Sequence, residues 1–295
     1  MAAVTLLGGR LGITDVGSEL AGFSQSEKLA YYLAAIDAAI NSEEDEILAL
    51  KYRANKAFNE LRLGDSRRLL ERYVREYPND IEGFSGIVET MASMRDAEGA
   101  RRYLERLAEI SHDDPRELNI LLNNLLFVGL VNQAAELAHD VLERYPEHAF
   151  LVYQAHRVLL WSGQVAEARH WADVLRASQF PEDNIKLLML RQACAEKNHT
   201  VATDLFNSVV NIEPLDPSIE LIALQIMNRP DEAHQMLVDA ELDIYALASF
   251  LNYPYFDHTF FPELAARLEQ QSIDRPFISG PPYRCEAAEP TRPQS

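Results

Sequence analysis

The chain has 295 residues and a formal charge of −19, from 27 basic and 46 acidic side chains. That balance opposes sequence-independent attraction to nucleic acid phosphates and to anionic membranes, so no direct nucleic-acid role is expected. There is no run of eighteen apolar residues and no secretion signal at the amino terminus, so no membrane insertion is expected and the chain reads as soluble.

In chain order, residues 1–23 hold five of the twelve glycines and read as an extended or mobile lead-in. Ser24 and Glu27 form a capping box for a first helix, LAYYLAAIDAAI, that shields the near end of a periodic region. Within that region Ala100, Ala134, Ala168 and Ala202 recur at one constant spacing, the length of a helix-turn-helix repeat. The same register runs through Leu104, Ala138, Ala172 and Phe206 and through Leu107, Val141, Leu175 and Val209. Offsets of four and three place these positions on one helical stripe.

Prolines punctuate the units. Pro78 and Pro214 stand four repeat lengths apart, with Pro146 and Pro181 between them. Asn79 with Glu82, and Asp114-Pro115 with Glu117, supply the cap and third-position acid that start the next helix. Within a unit the turn is expected at Gly64, Gly129 and Gly163, with Asn198 at the equivalent place later. Roughly six such helix-turn-helix units fit between residues 43 and 241. No single helix could bury its apolar face alone, and stacking of neighbours buries it.

Beyond the array, Phe256, Phe260, Phe261, Leu264 and Leu268 are expected to form a terminal helical cap over the last apolar face. From Pro276 onward five of the fourteen prolines fall in the closing segment, a tail without its own core. The expected organisation is therefore 1–23 lead-in, 24–241 repeat array with its amino-terminal capping helix, 242–275 capping helices and 276–295 proline-rich tail. Cys194 is expected in a helix and Cys285 in the tail, so no disulfide framework is anticipated and a reducing, cytoplasmic compartment is the default.

These spacings resemble the tetratricopeptide repeat family. The resemblance is good in the units from Gly129 to Pro146 and from Gly163 to Ala168, and looser elsewhere. In place of the family's small residue in the middle of the first helix stand Val88, Leu122, His156 and Leu190. The fold it implies is all-α, an α-solenoid of antiparallel helix pairs wound as a right-handed superhelix. A second resemblance links YPYFD, FPEL, IDRP and PYRC, between Tyr253 and Cys285, to the closing stretch of helical-repeat halves in bacterial winged-helix transcription regulators. It implies a regulatory module working with a separate effector.

By analogy with the repeat family, first-helix positions two, five, nine, twelve and thirteen face the concave groove. Position nine reads Glu89, Asn123, Arg157 and Arg191; position five adds Asn119 and Tyr153; the last two add Leu126, Phe127 and Trp161. Asparagines can clamp a peptide backbone, guanidinium groups suit carboxylates, and aromatic faces supply contact area at low entropy cost. The groove formed by Asn119, Asn123, Tyr153, Arg157, Trp161 and Arg191 is thus expected to take an extended, acidic protein segment. The family's carboxylate clamp is matched only in part, because Ser85, Asn119, Tyr153 and Leu187 occupy the place of its lysine. The bland alternative makes Arg157 and Arg191 ordinary inter-helix ion-pair partners and Trp161 a core residue.

Chemistry is sparse. His156 reads as a satisfied buried histidine, Glu167 with His170 lacks a third metal ligand, and His112 to Asp114 reads as a helix end followed by a cap. There is no phosphate loop and no nucleophile elbow. Arg67, Arg68, Arg72, Arg75, Arg101, Arg102 and Arg106 alternate with Glu71 and Glu105, the pattern of a solvated outer face. The expected function is a non-catalytic scaffold or adaptor with a protein or peptide partner and no cofactor or metal. Self-association through array ends, a regulatory module and an enzyme with an unrecognised site are the other readings.

Overall fold

The structure, a computed structural model, describes residues 25–111, 113–211, 217–240, 244–248, 256–273 and 283–285, with residues 242 and 251. Every regular element among them is helical. The first six helices are α1 (Gln25–Ser42), α2 (Leu48–Asn59), α3 (Leu63–Glu76), α4 (Ile81–Ser93), α5 (Ala97–Ile110) and α6 (Pro115–Phe127). Then come α7 (Val131–Arg144), α8 (Ala149–Trp161), α9 (Val165–Arg176), α10 (Glu182–Ala195), α11 (His199–Val210), α12 (Pro217–Ile226) and α13 (Pro230–Asp239). A short α14 (Ile244–Ala248), a 3-10 turn (His258–Phe260) and α15 (Pro262–Glu269) follow.

The helices alternate between the first and second members of pairs. All three positions of the repeat register fall on second helices. Ala100, Ala134, Ala168 and Ala202 are each 0% exposed, as are Leu107, Val141 and Val209. A methyl group at the closest approach lets the pair members touch, and the larger residues one turn on fill the space between pairs. Val88, Leu122, His156 and Leu190 on the first helices are equally buried, each at 0% exposure.

The turns within pairs carry a register of their own. Leu61, Arg95, Gly129, Gly163 and Lys197 all have positive φ, at 56°, 62°, 76°, 80° and 58°, and each stands one repeat length after the last. One left-handed residue is needed to reverse the chain after each first helix. Two of the expected turn residues are therefore displaced. Gly64 lies inside α3, with Leu61 taking the turn, and Asn198 is the N-cap of α11, its side chain accepting from the Val201 N–H, with Lys197 taking the turn before it. Likewise the cap of α4 is Asp80, one residue after Asn79, and it accepts from the N–H groups of Glu82 and Gly83. Asp114 and Pro115 start α6 as expected, with Asp114 accepting from the Arg116 N–H at 2.7 Å. His112 and Pro214 lie outside the described residues.

The contacts gather the chain into two units, one of α1 to α6 with α14 and α15, the other of α7 to α13 with residues 283–285. In the first unit the helices pack in succession, and α14 rests on α1. Gln271, just past α15, donates to the Leu61 carbonyl at 2.6 Å and accepts from the Leu63 N–H at 3.0 Å. The segment expected to cover the last face of the array instead packs on the first helices and turns. Of its five apolar residues Phe256, Phe261, Leu264 and Leu268 are buried, Phe256 and Phe261 stacking at 5.4 Å, while Phe260 is exposed. Tyr253 to Tyr255 lie outside the described residues.

In the second unit α8 packs on both α7 and α9, and α10 on both α9 and α11. The first helices α8, α10 and α12 also touch one another in sequence, so they form a continuous inner layer with the second helices behind it. Among the described residues no helix is long and apolar enough to cross a membrane.

Candidate functional site

On α8, Tyr153, Arg157 and Trp161 follow one another at every fourth position, which aligns them on one stripe of the inner layer. Each is half-buried. The Tyr153 hydroxyl accepts from Arg191 Nη1 of α10 at 2.8 Å, and the guanidinium carbon lies 5.6 Å from the tyrosine ring centroid. Phe180, in the segment leading into α10, sits 5.3 Å from Tyr153 and edge-on to Phe150 at 5.1 Å. Phe150 is 59% exposed, so this aromatic group opens to solvent at one end.

Arg191 itself is only 5% exposed. It is therefore an interior residue that orients Tyr153, and the expected role as a surface hook for carboxylates is corrected on that ground. Its partner on α8 is a phenol rather than an acid, so the ion-pair alternative does not describe this contact. Arg157 donates to Gln154 of its own helix at 2.7 Å and keeps part of its surface open.

Behind the stripe lies a buried polar network. His156 is 0% exposed, and its Nε2–H donates to Gln192 Oε1 at 3.0 Å. Gln192 donates in turn to the Val165 carbonyl at 3.0 Å and to Glu196 at 2.7 Å, and Glu196 receives both nitrogens of the Arg169 fork. Burial pushes the His156 imidazole down to about 3; the Gln192 hydrogen bond opposes this, and the positive charges of Arg191, Arg169 and Arg157 reinforce it. The histidine is thus a neutral linker that joins α8 to α10 and, through Gln192, to α9. Among the described residues no group of three metal-ligating side chains occurs.

Asn119 and Asn123 belong to α6 in the first unit, and both are half-buried. Asn124, next to the ladder position, takes the interior place: it donates to Ser85 Oγ at 3.0 Å and to the Ile120 carbonyl at 2.9 Å. Ser85 and Glu89, the matching positions on α4, are 6% and 8% exposed and bond to each other at 3.5 Å. The first-unit part of the ladder is therefore mostly internal. The Phe127 side chain lies outside the described residues.

The basic residues on the second helices behave as the alternating charge pattern indicates. Arg67 pairs with Glu71 at 2.8 Å, Arg106 with Glu109 at 2.8 Å, and Arg68 with Asp65, all within about one helical turn. Exposed pairs of this kind contribute little to stability.

One pairing was not legible in the sequence. Cys194 and Cys285 form a disulfide with Cα atoms 4.6 Å apart across a separation of 91 residues. The expectation of unpaired cysteines is corrected, and with it the cysteine argument for a reducing compartment. Residues 283–285 lie at the end of α10, where the Tyr283 ring also meets Trp161 of α8 edge-on at 6.0 Å.

Antiparallel helix pairs, turns recurring once per repeat and a layer of first helices backed by second helices define an all-α helical repeat fold of the tetratricopeptide type. Among solved structures the chain is similar to a tetratricopeptide repeat protein from Parabacteroides merdae ATCC 43184, at 14% identity and a TM-score of 0.51 over 67% of this chain and 77% of that one. No protein-family model matches the sequence. No curated protein matches it either.

Proposed function

We propose that the chain is a non-catalytic interaction scaffold that holds a partner protein segment on the inner helices of its second unit. The observation that carries this is the α8 stripe of Tyr153, Arg157 and Trp161, beside the solvent-open Phe150 ring and the buried Phe180 ring that it meets edge-on. Aromatic residues and arginine are the side chains that most often anchor protein interfaces. A guanidinium on a chain of net charge −19 offers a local positive site, which favours an acidic segment over a basic one.

Screening a library of acidic peptides by fluorescence polarisation tests the proposal, with wild type, Arg157→Glu, and Arg176→Glu as a control on the outer helix α9, where the Arg176 side chain is 61% exposed. Arg157→Glu should weaken the selected peptide about tenfold or more, a loss of about 1.4 kcal/mol, while Arg176→Glu leaves it unchanged. Equal binding by all three proteins would place recognition elsewhere. Arg191 is not a useful test position, because a buried charge reversal would unfold the unit.

A further inference from the structure

We propose that residues 283–285 are a resident occupant of the inner layer's end, held by the Cys194–Cys285 bond, and that a dithiol reductant opens this surface to an extended segment bearing an aromatic side chain. The three residues reach three successive inner helices. Tyr283 sets its ring edge-on to Trp161, the last residue of α8, with centroids 6.0 Å apart. Cys285 is bonded to Cys194, the next-to-last residue of α10, and its N–H donates to the carbonyl of Ile226, the last residue of α12, at 2.8 Å.

Trp161, Cys194 and Ile226 are separated by steps close to one repeat length. The short segment therefore crosses the stack, touching one helix end per repeat. Tyr283 and Cys285 are each 3% exposed, so the phenol ring and the sulfur are both enclosed. An aromatic anchor, a main-chain hydrogen bond and a seat across the repeats are the features by which a repeat surface grips an extended peptide. A ring pair and a main-chain hydrogen bond are each weak restraints against the conformational entropy of a chain segment. The covalent bond is what makes the occupancy persistent.

Release balances as thiol–disulfide exchange. A thiolate of the dithiol attacks one sulfur of the pair to give a mixed disulfide and one cysteine thiolate. The second thiol of the reductant then displaces the other cysteine, and two electrons and two protons pass to the protein as the reductant closes its own disulfide. Trp161 and the Cys194 thiol are then uncovered.

The test uses a fluorescent peptide of residues 279–289 with serine in place of Cys285, titrated to about 1 mM against the full-length chain. Three forms are compared: oxidised wild type, wild type reduced with dithiothreitol, and Tyr283→Ala/Cys285→Ser. The tethered tail of the reduced wild type competes at an effective concentration on the order of millimolar. The oxidised form should not bind, the reduced form should bind weakly, and the double variant should bind about tenfold more tightly than the reduced form. Adding Trp161→Ala to the double variant should abolish the interaction. Equal binding to the oxidised and open forms would overturn the proposal, and so would a helical double variant that ignores the peptide. If the double variant loses its helical circular dichroism, reduced Tyr283→Ala, which keeps both cysteines, takes its place under the same criteria. The probe is the chain's own sequence, so failure here is distinguishable from failure of the acidic-peptide screen at Arg157.

Discussion

At the scale of single residues, His156 shows how a polar side chain is kept in a fully buried repeat position. The folded protein holds its imidazole neutral down to about pH 3, whereas an unfolded histidine protonates near pH 6.5. Unfolding therefore takes up a proton between those values, and the stability present above pH 6.5 is lost as the pH falls. Urea unfolding at about pH 7.5 and about pH 5.5 checks this, on either side of the unfolded value. Wild type should lose about 1.4 kcal/mol more across that interval than His156→Gln, which carries no titrating ring. Identical pH dependence in the two proteins would mean that the histidine titrates alike in the folded and unfolded chain, so that burial does not hold it neutral. The sequence alone marked His156 as an interior residue because it stands where neighbouring units place Val88, Leu122 and Leu190. Arg191 is less legible. Its ladder position pointed to the groove, but the Tyr153 hydroxyl and ring draw it inward, a contact across a separation of 38 in the chain that no local pattern reveals.

At the scale of elements, the turn is the most informative unit. Gly129 and Gly163 take φ of 76° and 80°, and an added methyl at either would meet no atom within 4 Å. Gly163→Ala should therefore cost only the left-handed backbone penalty, about 1 kcal/mol in urea unfolding, with the helical content unchanged. A neutral substitution would show that the turn can relax to another conformation. Leu61, Arg95 and Lys197 hold the same conformation without glycine, so the sequence showed two of the five turns in this register and missed three. The glycine signal at Gly64 misled for a physical reason: that residue is three positions too late, inside α3. Second-helix packing was far more legible, since buried alanines at the close approach recur with the repeat whatever the turn chemistry.

At the scale of the whole molecule, the repeat could be read from periodicity, but the path of the chain after the repeats could not. The sequence predicts a cap on the final pair; instead, Gln271 binds the turn at Leu61 and Leu63, and Cys285 binds Cys194. Both contacts join residues far apart in the chain, 210 and 91 positions, and each uses one side chain rather than a periodic pattern. The proposed binding surface was legible in part. Tyr153, Arg157 and Trp161 share a stripe as their spacing requires, while the aromatic neighbours Phe150 and Phe180 and the overlying Tyr283 became visible only with the fold.

If the inner helices of the second unit hold the partner segment, binding must protect them and spare the helices behind. Hydrogen exchange with mass spectrometry, on the chain alone and saturated with the peptide selected in the acidic screen, tests this most directly. Slowed exchange confined to peptides from α8 and α10, with α9 and α11 unchanged, is the expected result. Protection concentrated on α9 and α11, or none on α8, would contradict it.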